Sequence, residues 1–403
     1  MRYLCAATGV GLISLSSGFV HHPSSLPSYS YSDVRAASGY ARCPIAGQLP
    51  PSRRSEAPRR SRRVLGRLSA SSNAEGAVAA PDLGEASLVA GSGDTGGDGS
   101  KPAANGMRRV YESFDWRGYN INFRVEGPED APPMILIHGF GASVGHFRKN
   151  IPVLVEEGYR VYAIDLLGFG ASDKPTDVKY ELELWRELVC DFIKAKSKTP
   201  SEQWIVMGNS IGGLLTLMVT EQLQDEGKVR GSVLFNTAGG MVSFRESELP
   251  FYLLPVMWFF NNVVFGPTFG PRFFANFRTE ANVRSVLKQV YTKDVVDDDL
   301  VNMLITPSDD KGACDVFLKV FTGPAGPSPG SVLEKIRDTK VLALWGETDP
   351  WTPLNRGPHS GASLGQYLDT YELVVLPNTG HCPQDESPDQ CHEVILPWLK
   401  TLP

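Results

Sequence analysis

The sequence predicts an α/β domain: a mostly parallel, eight-stranded sheet covered by helices on both faces, with a helical cap inserted after strand 6. Three observations carry this. Short, continuously apolar runs alternate with helical segments from residue 110 onward. A Gly-Asn-Ser-Ile-Gly turn at residues 208–212 separates one such strand from a helix. An aromatic insert then interrupts the alternation between the sixth and seventh strands.

Residues 110–116 and 119–125 read as an antiparallel strand pair, because the Arg117-Gly118 connection is too short for a crossover. Residues 133–137 form a short buried strand and 144–157 a helix. Residues 159–164 and 181–194 repeat that pair of elements. The strand 204–207 leads into the glycine turn, and residues 214–219 lie in the helix beyond it. Strands at 231–236, 340–345 and 371–376 complete the sheet, and 392–399 is a closing helix. Ligands of such sheets sit beyond the carboxyl ends of the strands. The glycine turn, His138-Gly139, Asp165, Asp349 and His381 all fall there.

Composition narrows the class. The chain has 403 residues, 42% hydrophobic and 21% charged, ordinary values for a globular enzyme. Its net charge of −6 is uneven: residues 1–105 hold 11 basic and 7 acidic side chains, leaving 28 basic and 38 acidic, or −10, for the rest. Such a balance excludes nucleic-acid binding by bulk charge. The six cysteines include no CxxC pair, so neither a zinc site nor a disulfide framework is expected, and no metal or other cofactor is implied.

Residues 1–72 read as a presequence. An apolar run at residues 3–20 resembles a signal-peptide core, and the segment as a whole has ten arginines, no lysine and only Asp33 and Glu56 as acids. Arg-rich, Ser-rich and acid-poor composition marks an organelle transit peptide, so a bipartite route into a plastid is expected. Residues 73–105 turn to Gly, Ala, Ser and Asp, a composition suited to a flexible linker. The folded domain then spans 106–403, with the cap at 241–325.

The chemistry starts at Ser210. In a G-x-S-x-G elbow the serine hydroxyl projects from a tight strand-to-helix turn, and the helix beyond aims free N–H groups at the reacting centre. A hydroxyl needs a base, and the base an orienting acid, in the chain order Ser, Asp/Glu, His. Asp349, fixed by Pro350 after a strand, is the favoured acid with Glu347 as fallback, and His381 follows the last strand at a Gly-His step. The backbone N–H groups of Ile211 and Phe140 are candidates for an oxyanion hole. His138 is assigned to bracing the Phe140 loop, and Asp165 and Asp173 to accepting structural hydrogen bonds.

HGFGAS, DLLGFGASDKP, GNSIGG, WGETDPW and GHCPQDESP, in this order, resemble the α/β-hydrolase superfamily over roughly residues 108–403. GNSIGG, DPWTP, HCPQDE and the segment 314–318 are similar to its plastid chlorophyll dephytylases and pheophytinases. Pheophytinases carry a proline where this chain has His138, which favours the dephytylase side. The resemblance implies hydrolysis of the phytyl ester of chlorophyll or pheophytin, with Ser210, Asp349 and His381 in the triad positions. A carboxylesterase or lipase for another lipophilic ester, a carbon–carbon hydrolase and a slowly turning-over hormone-receptor relative remain open beside it.

Residues 244–277 hold eleven aromatics in 34. They read either as the cap's own core, or as an apolar pocket for an isoprenoid chain or a face dipping into a thylakoid membrane. Phe169, Phe251, Trp258, Phe259 and Trp351 are the candidate substrate contacts. Residues 251–265, broken by Pro255 and Asn261-Asn262, are too short to span a bilayer. Cys382, beside His381, is read as packed rather than redox-active. No protein partner is deducible.

Overall fold

A computed structural model describes residues 110–241, 251–357 and 359–403. The presequence assigned to 1–72 and the linker assigned to 73–105 lie outside the described residues, as does Phe244 of the aromatic insert.

Eight strands form one sheet: β1 (Val110–Trp116), β2 (Tyr119–Glu126), β3 (Pro133–Ile137), β4 (Arg160–Ile164), β5 (Trp204–Asn209), β6 (Val229–Phe235), β7 (Lys340–Gly346) and β8 (Tyr371–Leu376). Their spatial order is β1-β2-β4-β3-β5-β6-β7-β8. β2 runs antiparallel to both β1 and β4, and all other neighbours are parallel. β3 lies between β4 and β5, so the loops leaving β3 and β5 emerge side by side.

Period-two alternation splits the core into two layers. Ile135, Ile137 and Val206 face one side, where they pack with Trp185 and Phe192 of α2 (Leu182–Lys196) and Leu214 and Leu217 of α3 (Ile211–Leu223). Met134, Leu136, Ile205 and Met207 face the other, against Ile151 and Leu154 of α1 (Ile151–Glu156). Ile395 and Trp398 of the closing helix Pro388–Leu399 join that second layer.

The expected helix over 144–157 is two pieces, a 3₁₀ turn at Val144–Phe147 and α1. Pro152 is the reason: inside a continuous helix it would lack an N–H for the carbonyl of Arg148 and clash with it, whereas the first turn of a new helix tolerates it. Helix α3 starts at Ile211, directly after the nucleophile candidate, three residues earlier than its apolar run suggests.

Between β6 and β7 the described residues form the cap. Phe251–Leu253, α4 (Leu254–Phe259) and a π turn at Phe260–Val264 are followed by α5 (Gly270–Phe277), α6 (Glu280–Val290), α7 (Asp298–Ile305) and α8 (Ala313–Thr322). Asp297 caps α7, its carboxylate accepting from the Leu300 N–H at 2.7 Å. No helix among the described residues is long and apolar enough to cross a membrane.

Candidate active site

The elbow between β5 and α3 is built by close backbone approach. Ser210 adopts φ 56°, ψ −117°, a strained conformation for a non-glycine residue. A Cβ at Gly208 would lie 2.1 Å from the Gly212 carbonyl oxygen, and one at Gly212 would lie 2.1 Å from that of Ile137. Both positions therefore require glycine, and together they press the turn onto the end of β3. Ser210 holds the turn with its backbone, its N–H donating to the Phe235 carbonyl at 2.9 Å. The Ser210 carbonyl accepts from Ala238 N–H at 3.0 Å. Its side chain is left out of any hydrogen bond among the described residues.

The loop after β3 packs on this turn. A Cβ at Gly139 would lie 3.2 Å from Ser210 Cβ, so the backbone of Phe140 passes close to the serine. His138, fully buried, fixes the loop: its Nε2 accepts from Leu166 N–H at 3.1 Å, which leaves Nδ1 to carry the proton and donate to the Gly139 carbonyl at 2.7 Å. Burial lowers its pKa, with Asp165 opposing. A neutral, doubly engaged imidazole braces and does not transfer protons. Neither Phe140 N–H nor Ile211 N–H takes part in the turn and cap hydrogen bonds among the described residues.

Asp165 accepts from Val144 N–H at 2.7 Å, Asn122 Nδ2 at 2.8 Å and Ala171 N–H at 2.8 Å. Asp173 accepts from Asn120 N–H at 2.8 Å. Both carboxylates are spent on tying loops to β2.

His381 and Asp349 meet. His381 Nδ1 lies 2.7 Å from Asp349 Oδ2, and both side chains are buried. An acceptor on Nδ1 puts the proton there and leaves Nε2 as the basic nitrogen. Asp349 is held from every side. Oδ1 accepts from the N–H groups of Trp351 at 2.7 Å and Thr352 at 3.1 Å, and Oδ2 from Asn236 Nδ2 at 2.5 Å and from the Thr352 hydroxyl. Burial alone would raise its pKa. The His381 charge and these donors reverse that and hold it at about 2. Glu347 instead accepts from Asn378 N–H at 3.3 Å on the exposed side of the loop.

The His381 backbone is clamped at three points. Its N–H donates to the Val290 carbonyl at 2.8 Å, at the end of α6 in the cap. Its own carbonyl accepts from Asn209 Nδ2 at 3.0 Å, joining the histidine loop to the elbow. Glu386, buried, accepts from Gly380 N–H at 2.7 Å and from the cap residues Thr292 and Lys293 at 2.7 and 2.8 Å. Asn209, Asn236, Thr352 and Glu386 escape the sequence reading. Asn209 had a signal, standing directly before the serine, and Asn236 stood at a strand end; Thr352 and Glu386 had none beyond proximity in sequence.

The five candidate substrate contacts separate. The Trp351 ring lies 5.4 Å from that of His381. Phe169 is buried between His138, Phe140 and Trp185, with ring distances of 5.6–5.8 Å. Phe251, in the turn Phe251–Leu253, and Trp258 and Phe259, on α4, stand on the outside of the cap, 82%, 63% and 50% exposed. Cys382 is buried and burial pushes its thiol well above the ordinary range, which disfavours the reactive thiolate. No cluster of metal-ligating side chains occurs among the described residues.

The family model of the alpha/beta hydrolase family matches residues 134–394. The pheophytinase of Arabidopsis thaliana chloroplasts is 23% identical over 326 residues, covering 68% of this chain and 62% of that one. The 2-hydroxymuconate semialdehyde hydrolase of Pseudomonas sp. (strain CF600) is 27% identical over 263 residues, covering 63% and 82%. Among solved structures, a serine hydrolase involved in carbazole degradation shares the fold with a TM-score of 0.56 at 23% identity, over 73% of this chain and 99% of that one.

Proposed function

The chain belongs to the alpha/beta hydrolase family, and we propose that it is a serine hydrolase that cleaves the ester of a lipophilic substrate through an acyl-enzyme. The observation that carries this is the buried His381–Asp349 pair at 2.7 Å, tied through Asn209 to the strained Ser210 turn. In this reading His381 Nε2 removes the Ser210 proton as Oγ attacks the ester carbonyl, and the Phe140 and Ile211 N–H groups hold the oxyanion. Asp349 stabilises the imidazolium formed on the way. His381 then gives its proton to the departing alcohol, and water repeats the sequence on the acyl-enzyme.

The finer proposal is the phytyl ester of chlorophyll or pheophytin, in a plastid. Its supports are the sequence motifs, the similarity to pheophytinase and the Arg-rich, acid-poor residues 1–72. A second reading, carbon–carbon bond hydrolysis, draws on the similarity to 2-hydroxymuconate semialdehyde hydrolase, of whose length a larger share is aligned, and uses the same three residues.

The full-length chain and Ser210→Ala, incubated with detergent-solubilised chlorophyll a, pheophytin a, graded p-nitrophenyl esters and 2-hydroxymuconate semialdehyde, separate these readings. Phytol released by wild type and not by the variant is the expected result. Serine-dependent cleavage of the nitrophenyl esters alone overturns the pigment assignment, and turnover of the semialdehyde alone supports the carbon–carbon reading. A stoichiometric burst without turnover points to a receptor.

A further inference from the structure

The cap carries an apolar surface that the proposed chemistry does not use. From Phe251 to Pro271 the chain has no charged residue in 21 positions. Such a run normally packs inside. Here Phe251, Tyr252, Trp258, Phe259 and Phe269 are all at least half exposed. Two polar side chains, Asn262 within the segment and Arg272 just beyond it, turn back on the local backbone. Asn262 Nδ2 donates to the Trp258 carbonyl and Arg272 to that of Thr268, both at 2.9 Å. The usual globular arrangement is therefore inverted, with large apolar side chains turned outward.

The inner end of the segment reaches the active site. Phe265 is buried with its ring 5.1 Å from Phe321, and Phe321 lies 5.4 Å from Phe140, the residue whose N–H is assigned to the oxyanion. Aromatic side chains thus lead from Phe265, within this segment, to the Phe140 loop beside Ser210.

We propose that this face docks the protein on one leaflet of a lipid bilayer. Phe251, Trp258 and Phe259 enter the boundary between headgroups and acyl chains, and Tyr252 sits at headgroup level. A protein partner is the poorer fit: its interface would need about one hydrogen bond per 100–200 Å² and a polar rim, and this segment has no charged side chain to build one. The absence of charge in the segment and the net −6 of the chain mean that apolar insertion, not attraction to anionic lipid, drives the contact. Docking stands on the exposed residues alone. Its use, handing a lipophilic ester to Ser210 along the aromatic path, rests on the hydrolase reading above.

The test uses the full-length chain and neutral phosphatidylcholine vesicles at low and high salt. Wild type should co-sediment at both, with a blue shift of tryptophan emission that Trp258→Phe loses. Phe251→Ser/Trp258→Ser/Phe259→Ser should lower partitioning by about tenfold or more, while its circular dichroism and urea midpoint stay those of wild type. Three results overturn the proposal: binding only to anionic vesicles with release by salt, an unaltered blue shift in Trp258→Phe, or a dimer in sedimentation velocity that the triple variant abolishes. Ser210→Ala should bind as wild type does. If wild type binds but cleaves no ester, docking stands and the hydrolase reading fails.

Discussion

At the scale of single residues, Asp349 shows how a buried carboxylate is kept ionised. Five donors surround its two oxygens, counting His381, and the resulting pKa of about 2 lies below the ordinary aspartate value of 3.8. Its contribution to stability is therefore complete above the unfolded value and lost as pH falls toward about 2, far below the range where such an enzyme would be assayed. Asp349→Asn keeps the shape but offers His381 Nδ1 a donor as readily as an acceptor, so the imidazole tautomer is no longer fixed. The expected loss in kcat for p-nitrophenyl ester hydrolysis is about 10⁴-fold with KM little changed. A loss of tenfold or less would remove Asp349 from the proposed machinery and return attention to Glu347. That Asp349 and His381 meet was legible in the sequence because chain order and strand-end placement restrict an acid and a base to very few positions. Asn236 was not, because a hydrogen bond to Asp349 from a residue 113 positions away leaves no local pattern, and Thr352, three residues past Asp349, sits in a turn whose side-chain directions the sequence does not fix.

At the scale of elements, the sheet was readable nearly to the residue, since fully buried parallel strands are short apolar runs bounded by turns. One departure, at residues 144–157, has a local cause. The periodicity across 144–157 is helical, but Pro152 forbids continuity, and the break leaves Arg148 at the end of the 3₁₀ turn. There Arg148 pairs with Asp297 of the cap at 2.8 Å and with Asp385 at 3.3 Å. Glu386 forms a second such link, and a tighter one. It satisfies one N–H of the histidine loop and two of the cap, so the position of His381 and the seating of α6 are set by one carboxylate. Glu386→Ala leaves these N–H groups without their acceptor, at about 1–3 kcal/mol for each that stays dry. The urea midpoint should fall and kcat should drop together, with Glu386→Gln recovering part of both because its carbonyl still accepts. An alanine variant that loses stability with kcat intact would confine the clamp to the cap and sever it from His381.

At the scale of the whole molecule, three buried histidines set a limit on acid tolerance. Burial lowers the pKa of His138, of His392 and of His146, the last to about 4 from an ordinary value of 6.5. His146 sits in a buried network, its Nε2 3.0 Å from the Tyr291 hydroxyl, which in turn donates to Asp385 at 3.1 Å. That network joins the 3₁₀ turn, whose Val144 and Phe147 pack in the second core layer, to the end of α6 and to the short helix Pro383–Glu386, so its integrity is shared by core, cap and site. Between pH 6.5 and about 4 the unfolded chain binds a proton at His146 and the folded chain does not, so stability must rise with pH across that window and be lost as pH falls through it. For His146 alone the difference amounts to roughly 3 kcal/mol, and the other two act in the same direction. Urea midpoints measured at pH 7.5, 6 and 4.5 should decline steadily, and His146→Gln, which retains a partner for Tyr291 without the titration, should flatten the decline. A midpoint constant over that range in wild type, or an identical slope in the variant, would mean that the buried imidazoles are not the groups through which acid reaches the fold.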